Sequence, residues 1–284
     1  MTIRLCAVLT ILFFPAAGLC AEAGGRLTTG PDGYTGLNFF AEWDWEEGKG
    51  ETRYLRPSVN TYSSDISDRY TTYALAGGLD RDELGASGEV FLQPETGGYS
   101  KKGVYGDLNY FPPAPAHGPF YSLGCFAGLA VHEDIYSSSD STGGFPFVQQ
   151  TTTREDVFRL MQYDLGVAAS VSALGLRVSG RASKTFYDQD VSSEDRRLPQ
   201  GVGPGGFPDL SLSAGLGMPG KVFYPEARYT RTSYLLDQPA SRSLTLGLTL
   251  RAAGFRLYGG WENYDPGGTS DRLDYYSVGL SADF

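Results

Sequence analysis

Along most of this chain apolar and polar residues alternate one by one, and the one long unbroken apolar run lies within the first twenty residues. The alternation is clearest from Tyr275 to Phe284. There Tyr276, Val278, Leu280, Ala282 and Phe284 share one face, and Tyr275, Ser277, Gly279, Ser281 and Asp283 the other. Successive side chains of a strand point to opposite faces, so a period of two predicts a strand with one greasy and one wet side. Upstream, Tyr34–Trp45 sets Leu37, Phe39, Ala41, Trp43 and Trp45 against Asn38, Glu42 and Asp44. Thr52–Ser63 sets Leu55, Pro57 and Val59 against Arg56, Ser58 and Asn60. Pro57 has no N–H to give a ladder, which predicts a bulge there or at a neighbour. Similar runs cover Tyr70–Asp80, Leu84–Leu92, Val104–Tyr110, Tyr121–Val131, Leu165–Val171, Leu176–Ala182, Leu210–Met218, Phe223–Tyr229, Leu244–Leu250 and Phe255–Trp261.

These are about thirteen runs, each near the ~9–11 residues a tilted strand needs to cross a bilayer. A weaker alternation, Ala23, Gly25, Leu27 and Thr29 against Gly24, Arg26 and Thr28, supplies one more at the start. About fourteen strands are therefore expected, with twelve as the alternative if one run has been divided in error. The connections fall into two kinds. Tight turns are expected at Ser172–Gly175, Pro219–Lys221 and Ala252–Gly254, and long polar loops at His132–Asp156, Tyr187–Pro208 and Glu262–Arg272. The proline-rich stretch Phe111–Pro119 cannot be a strand.

The first residues read differently. Met1–Arg4 is a short positive segment and Leu5–Ala17 an apolar run, too short for a membrane helix and followed by small residues. Residues 1–21 are expected to be a signal peptide, with cleavage alternatively after Ala23. Beyond them no window approaches the ~20 apolar residues of a membrane helix. Any crossing must be made by strands, and strands in lipid must close into a barrel.

A leader, alternating strands and a last strand ending on an aromatic residue together resemble the bacterial outer-membrane β-barrel proteins. The resemblance implies an all-β, transmembrane antiparallel up-and-down β-barrel forming a single domain over residues 22–284. It implies export through the periplasm to the outer membrane of a Gram-negative cell, with outer-membrane lipid and lipopolysaccharide as surroundings. The barrel-insertion machinery would read Tyr276, Val278, Leu280, Ala282 and Phe284 as the assembly signal. With Phe284 at the periplasmic rim, the tight turns are periplasmic and the long loops face outward.

Composition agrees with this reading. Thirty-eight glycines, nineteen tyrosines and 13% aromatic residues accompany only 41% hydrophobic residues, as expected when grease is needed on one face of each strand. Loss of Arg4 with the leader leaves 22 basic against 33 acidic residues, a net charge near −11, which argues against nucleic acid as a partner. Cys125 is then alone, so neither an internal disulfide nor a cysteine metal site is expected. Cys125 falls on an apolar face and reads as a small lipid-facing residue.

Candidate chemistry is sparse. There is no phosphate loop, no G-x-S-x-G, no H-E-x-x-H and no C-x-x-C, and His117 and His132 are the only histidines. No cofactor or metal is expected, and no enzyme. His132 with Glu133 and Asp134 at a strand end is the residual candidate for hydrolysis, and it equally describes a solvated loop base. The acidic cluster Asp188, Asp190, Glu194 and Asp195, followed by Arg196 and Arg197, could bridge divalent cations or lipopolysaccharide. Projecting the alternation inward makes Glu42, Asp44, Arg56, Glu89, Asp107, Arg177, Arg181, Glu226, Arg228, Arg256 and Glu262 the candidate lumen-lining residues. They could line an aqueous path or pair into a plug, which strand pairing decides. The first expectation is a porin-type channel for passive diffusion of small solutes. The alternative is a structural or surface-interaction barrel that binds a partner through Ser137–Thr153 or Asp188–Gly206, and a barrel enzyme acting on lipid or peptide stands behind both.

Overall fold

In the computed structural model the described residues are 20–46, 50–65, 67–113, 120–144, 148–189, 191, 206–236 and 238–284. They form fourteen strands and no helix. In chain order these are β1 (Cys20–Thr29), β2 (Thr35–Glu46), β3 (Glu51–Ser64), β4 (Ser67–Arg81), β5 (Leu84–Thr96), β6 (Tyr99–Tyr110) and β7 (Phe120–Gly144). Then come β8 (Val148–Ala173), β9 (Leu176–Tyr187), β10 (Pro208–Gly217), β11 (Phe223–Tyr234), β12 (Ser241–Ala252), β13 (Phe255–Asp265) and β14 (Leu273–Asp283). Each strand pairs antiparallel with its sequence neighbours, and β1 also pairs with β14, so the sheet is a closed barrel. The weak first run is a full strand, and the count is fourteen rather than twelve. Expected features at residues 1–19, His117, and Asp190, Glu194, Asp195, Arg196 and Arg197 of the charged cluster lie outside the described residues.

The two faces separate as the alternation requires. Leu75, Val90, Leu108, Leu123, Leu165, Val178, Leu216, Leu246, Leu257 and Val278 are all exposed on the outer wall. Aromatic residues fringe this apolar band. Trp43, Trp45, Tyr110, Phe223, Phe255 and Phe284 stand toward the rim that holds Phe284, and Tyr73, Tyr163, Phe186, Tyr229, Trp261 and Tyr276 toward the other rim. That is the girdled band of a membrane barrel. Cys125 is exposed on the same outer wall.

At the rim of Phe284, two-residue turns join β8 to β9 and β12 to β13. Leu174 (φ 53°) with Gly175 (φ 76°), and Ala253 (φ 49°) with Gly254 (φ 80°), take the left-handed conformations that match the twist of a tight hairpin.

Inside, large rings lie against glycines of adjacent strands. A Cβ on Gly166 would fall on the Phe126 ring and 2.5 Å from the Ala182 carbonyl. A Cβ on Gly103 would lie 2.6 Å from Phe91, and one on Gly78 would lie 2.6 Å from Tyr54. The abundance of glycine and aromatic residues is thus one feature: each ring fills the gap its neighbour leaves, as in aromatic rescue of strand glycines.

The structure corrects three expectations. Residues 132–156 are largely not a loop: β7 and β8 continue as paired strands from His132↔Leu160 to Gly144↔Val148. Threonine favours strands and a strand outside hydrocarbon needs no apolar face, so alternation of hydropathy ends before the strand does. The stretch from Glu262 is likewise strand as far as Asp265. Pro57 makes no bulge. Partners on either side of it, Phe40↔Ser58 and Trp43↔Leu55, keep one offset, so the ladder loses a rung without a register shift. Pro57 falls opposite Ala41, which is 3% exposed and small enough to accept the ring.

Gly166→Ala should therefore destabilise the barrel although alanine is the smallest possible change. Overpacking against Phe126 is expected to cost roughly 1–3 kcal/mol. Loss of heat-modifiable gel migration at a lower temperature than wild type checks it, and an unchanged midpoint would show that the ring is not wedged there.

Candidate functional site: a charged lumen behind a tyrosine collar

Every candidate lumen residue sits on the inward parity of its strand. Except for Glu262, each lies within six residues of the strand end nearest the Phe284 rim. They form two groups. Across β1, β2, β3, β13 and β14, acids and bases are paired: Arg256 Nη1 donates to Glu22 Oε2 at 2.7 Å and Nη2 to Asp283 Oδ1 at 2.9 Å. Arg56 Nε meets Glu42 Oε2 at 2.6 Å, and its guanidinium lies 4.9 Å from the Phe40 ring centre. Arg26 lies 4.2 Å over Tyr258. Glu22, Arg26, Phe40, Arg56, Arg256 and Tyr258 line a cavity of ≈ 680 Å³ that also touches Glu89 on β5 and Thr249 and Arg251 on β12. The cavity therefore reaches across the interior rather than along one wall.

The second group is basic. Arg177 and Arg181 project from β9 and Arg228 from β11, and Arg181 stacks 3.6 Å over Phe126. In a ring of fourteen, β9 is seven strands from β2, so Arg177 and Arg181 stand diametrically across from Glu42 and Asp44. By the same count Arg251 on β12 stands across from Glu89 on β5. A second cavity of ≈ 220 Å³ is lined by Asp107, Phe126, Asp164 and Arg181. Asp107 accepts from Asn109, and Asp164 accepts from Thr185 Oγ1 at 2.6 Å and Gln162 Nε2 at 3.0 Å. Glu262 lies higher, accepting from Ser243 Oγ at 2.5 Å. Glu22, Arg26, Arg251 and Asp283 belong to the belt but escape the sequence reading, because they sit in the weakest run or at strand ends where alternation is shortest.

The outer mouth is ringed instead by inward tyrosines. Tyr62, Tyr70, Tyr99 and Tyr136 form a chain with ring centres 5.4, 6.2 and 5.1 Å apart. Tyr34 meets Tyr275 edge-on at 5.5 Å, and Tyr187 meets Phe207 at 5.6 Å. Several hydroxyls are engaged in the wall: Tyr62 donates to Gln93 at 3.3 Å, Tyr99 to Asp134 at 3.2 Å and Tyr187 to the Pro208 carbonyl at 2.7 Å. Beside the collar, Leu160, Val191 and Phe207 form a small buried cluster with Phe158, Tyr187, Leu235 and Leu236 packed on it. Asp188, of the acidic cluster, is spent there, since its Oδ1 accepts from the Met161 N–H at 3.0 Å.

His132, Glu133 and Asp134 do not converge. His132 and Asp134 face inward and Glu133 outward, where it bridges Lys102 at 2.8 Å. Asp134 is fully buried, held by Tyr99 and by Lys101 at 3.9 Å. No cluster of three or more metal-ligating side chains occurs among the described residues.

No family model and no curated protein matches this sequence. Solved structures match it in fold. The toluene transporter TodX of Pseudomonas putida gives a TM-score of 0.51 at 12% identity, over 96% of this chain and 90% of that one. An anion-selective porin from Comamonas acidovorans gives 0.45 at 12%, over 94% and 98%. A KdgM porin in complex with disordered oligogalacturonate gives 0.45 at 10%, over 93% and 99%. At such identities the likeness is one of fold.

Proposed function

We propose that this barrel is an outer-membrane channel through which small hydrophilic solutes diffuse. The observation that carries this reading is that short inward side chains alternate with the charged ones around the wall, as in Arg56↔Ala76, Ser87↔Asp107 and Glu226↔Gly247. Ala74, Ala76, Ser87, Ala168, Ser213, Gly247, Ser277 and Gly279 occupy inward positions around the wall. Barrels of about eight strands are filled by their side chains and those of 16–18 leave a channel, so fourteen strands with such small inward residues favour an open path. Among the described residues all substantial contacts between strands are between hydrogen-bonded neighbours, and no described strand crosses the interior. The opposed acidic and basic walls would then impose a transverse field on passing solutes.

The long β7–β8 hairpin supports a second reading, a docking arm for a partner. Its pairing runs eight residues beyond Tyr136, the last residue paired with β6, or roughly 25 Å at ~3.3 Å per residue. We further infer that the leader is removed after Ala21, because Glu22 then remains to hold Arg256.

Folded protein in planar bilayers should give discrete conductance steps, and Arg177→Glu with Arg181→Glu should move the reversal potential in a salt gradient toward cation preference. Folded protein that never conducts would sink the channel reading. Excising residues 138–153 should leave the step size intact, and its collapse would mean that the hairpin lines the path. Sequencing of the mature N-terminus should begin at Glu22, and a start at Gly24 would overturn the cleavage inferred here.

A further inference from the structure

On the outer face of β11 and β12, just above the aromatic fringe, two arginines stand side by side. Arg231 and Arg242 are direct cross-strand partners. Both are exposed, on the parity of Tyr229 and Leu244, which are 44% and 39% exposed on the outer wall. Like charges placed directly opposite weaken a strand pair, so the arrangement invites a compensating anion. Among the described residues neither guanidinium has an ion-pair or hydrogen-bond partner. The carboxylate nearest in register, Asp265 opposite Arg242, is already engaged by the Gly267 N–H at 2.9 Å and by Arg272 at 3.7 Å. Asp274 is likewise taken by Trp261 Nε1 at 3.1 Å and Asn263 at 2.9 Å. Two other outward cations of this rim are matched, Lys102 by Glu133 and Lys184 by Asp209.

Height gives the pair its meaning. Arg231 lies two residues beyond Tyr229 on the same face, about 7 Å along the strand. Tyr229, Trp261 and Tyr276 mark where hydrocarbon gives way to headgroups. Two guanidiniums just past that line sit at the depth of lipid phosphates, and paired planar donors suit a phosphate better than a point charge does.

We propose that Arg231 and Arg242 clamp a phosphate group on a lipopolysaccharide of the outer leaflet, with Tyr229, Leu212 and Leu244 against its acyl chains. The proposal rests on the outer-membrane reading above. It adds a lipid site on the outer wall that is independent of the lumen.

The test is lipid retention by the folded, full-length barrel in detergent, read by native mass spectrometry with bisphosphorylated lipid A as the probe. Wild type should retain one lipid more tightly than Arg231→Gln with Arg242→Gln, by about tenfold, as expected for loss of charge-assisted hydrogen bonds. Lys221→Gln, on the opposite rim, should bind as wild type does. The charge-preserving pair Arg231→Lys with Arg242→Lys should retain part of the affinity, and it guards against a glutamine variant that fails to fold. Dephosphorylated lipid A should not distinguish wild type from the glutamine variant. Equal retention of lipid A by folded wild type and glutamine variant would overturn the clamp. Displacement of the lipid by inorganic phosphate at comparable concentration would also overturn it, since the ligand would then be a soluble phosphate. Conductance measured on the same preparations keeps the two readings apart: a conducting wild type with indifferent lipid binding leaves the channel and removes the clamp.

Discussion

A strand in hydrocarbon has no water to satisfy an unpaired edge, and every other property of this barrel depends on meeting that constraint. The seam where β1 meets β14 is where closure is decided, because it joins the two ends of the described chain. Main-chain pairing from Glu22↔Asp283 to Thr29↔Tyr276 accounts for most of it. Arg256 adds a brace at the Phe284 rim, reaching from β13 to carboxylates on both β1 and β14. One guanidinium with two carboxylates is a strong, geometrically exacting contact, and it fixes the register of three strands at once. Residues that would be counted as lumen charge are therefore also part of the closure, and the two roles cannot be separated at Glu22, Arg256 and Asp283.

The inner wall solves a second problem with the same economy. Rings set against glycines of neighbouring strands thicken the wall locally. Phe126 over Gly166 also offers its face to Arg181, so a packing contact positions a cation. The tyrosine chain at the mouth works similarly, with rings packed stacked, edge-on and tilted in turn and hydroxyls tied to Gln93 and Asp134.

How much of this is legible in the sequence follows from what alternation can encode. Each strand that touches lipid announces itself, because every second residue must be apolar; even the weak run before Gly30 has its Leu27 outward. Above the membrane that pressure disappears, which is why the polar upper half of β7–β8 reads as loop. Pro57 misleads for a different reason: the missing rung depends on Ala41, a residue on another strand. The lumen residues can be assigned to a face but not to a partner. That Arg181 stands across from Glu42 depends on there being fourteen strands, and one strand more or fewer would rotate every opposition. The tyrosine collar escapes notice because its members sit at strand ends, where a run of alternation is too short to distinguish in from out.

The separation of the two inner belts bears on how a channel of this kind would act. At physiological ionic strength a charge is felt over a Debye length of about 8 Å. Opposed rows of acid and base therefore shape the field only where the path is narrow or the charges lie in the wall with little water around them. Here the acidic side is partly neutralised in place, as Arg56 meets Glu42 and Arg256 meets Glu22, whereas Arg177, Arg228 and Arg251 have no ion-pair partner among the described residues. A solute entering from the mouth would pass a nearly neutral aromatic ring first. It would meet charges unpaired among the described residues, the cations Arg177, Arg228 and Arg251 and the acids Asp44, Glu89 and Glu226, only near the far rim. The overall acidity of the chain is thus a poor guide to the charge a solute encounters, because what matters is which groups remain unpaired at the narrowest level.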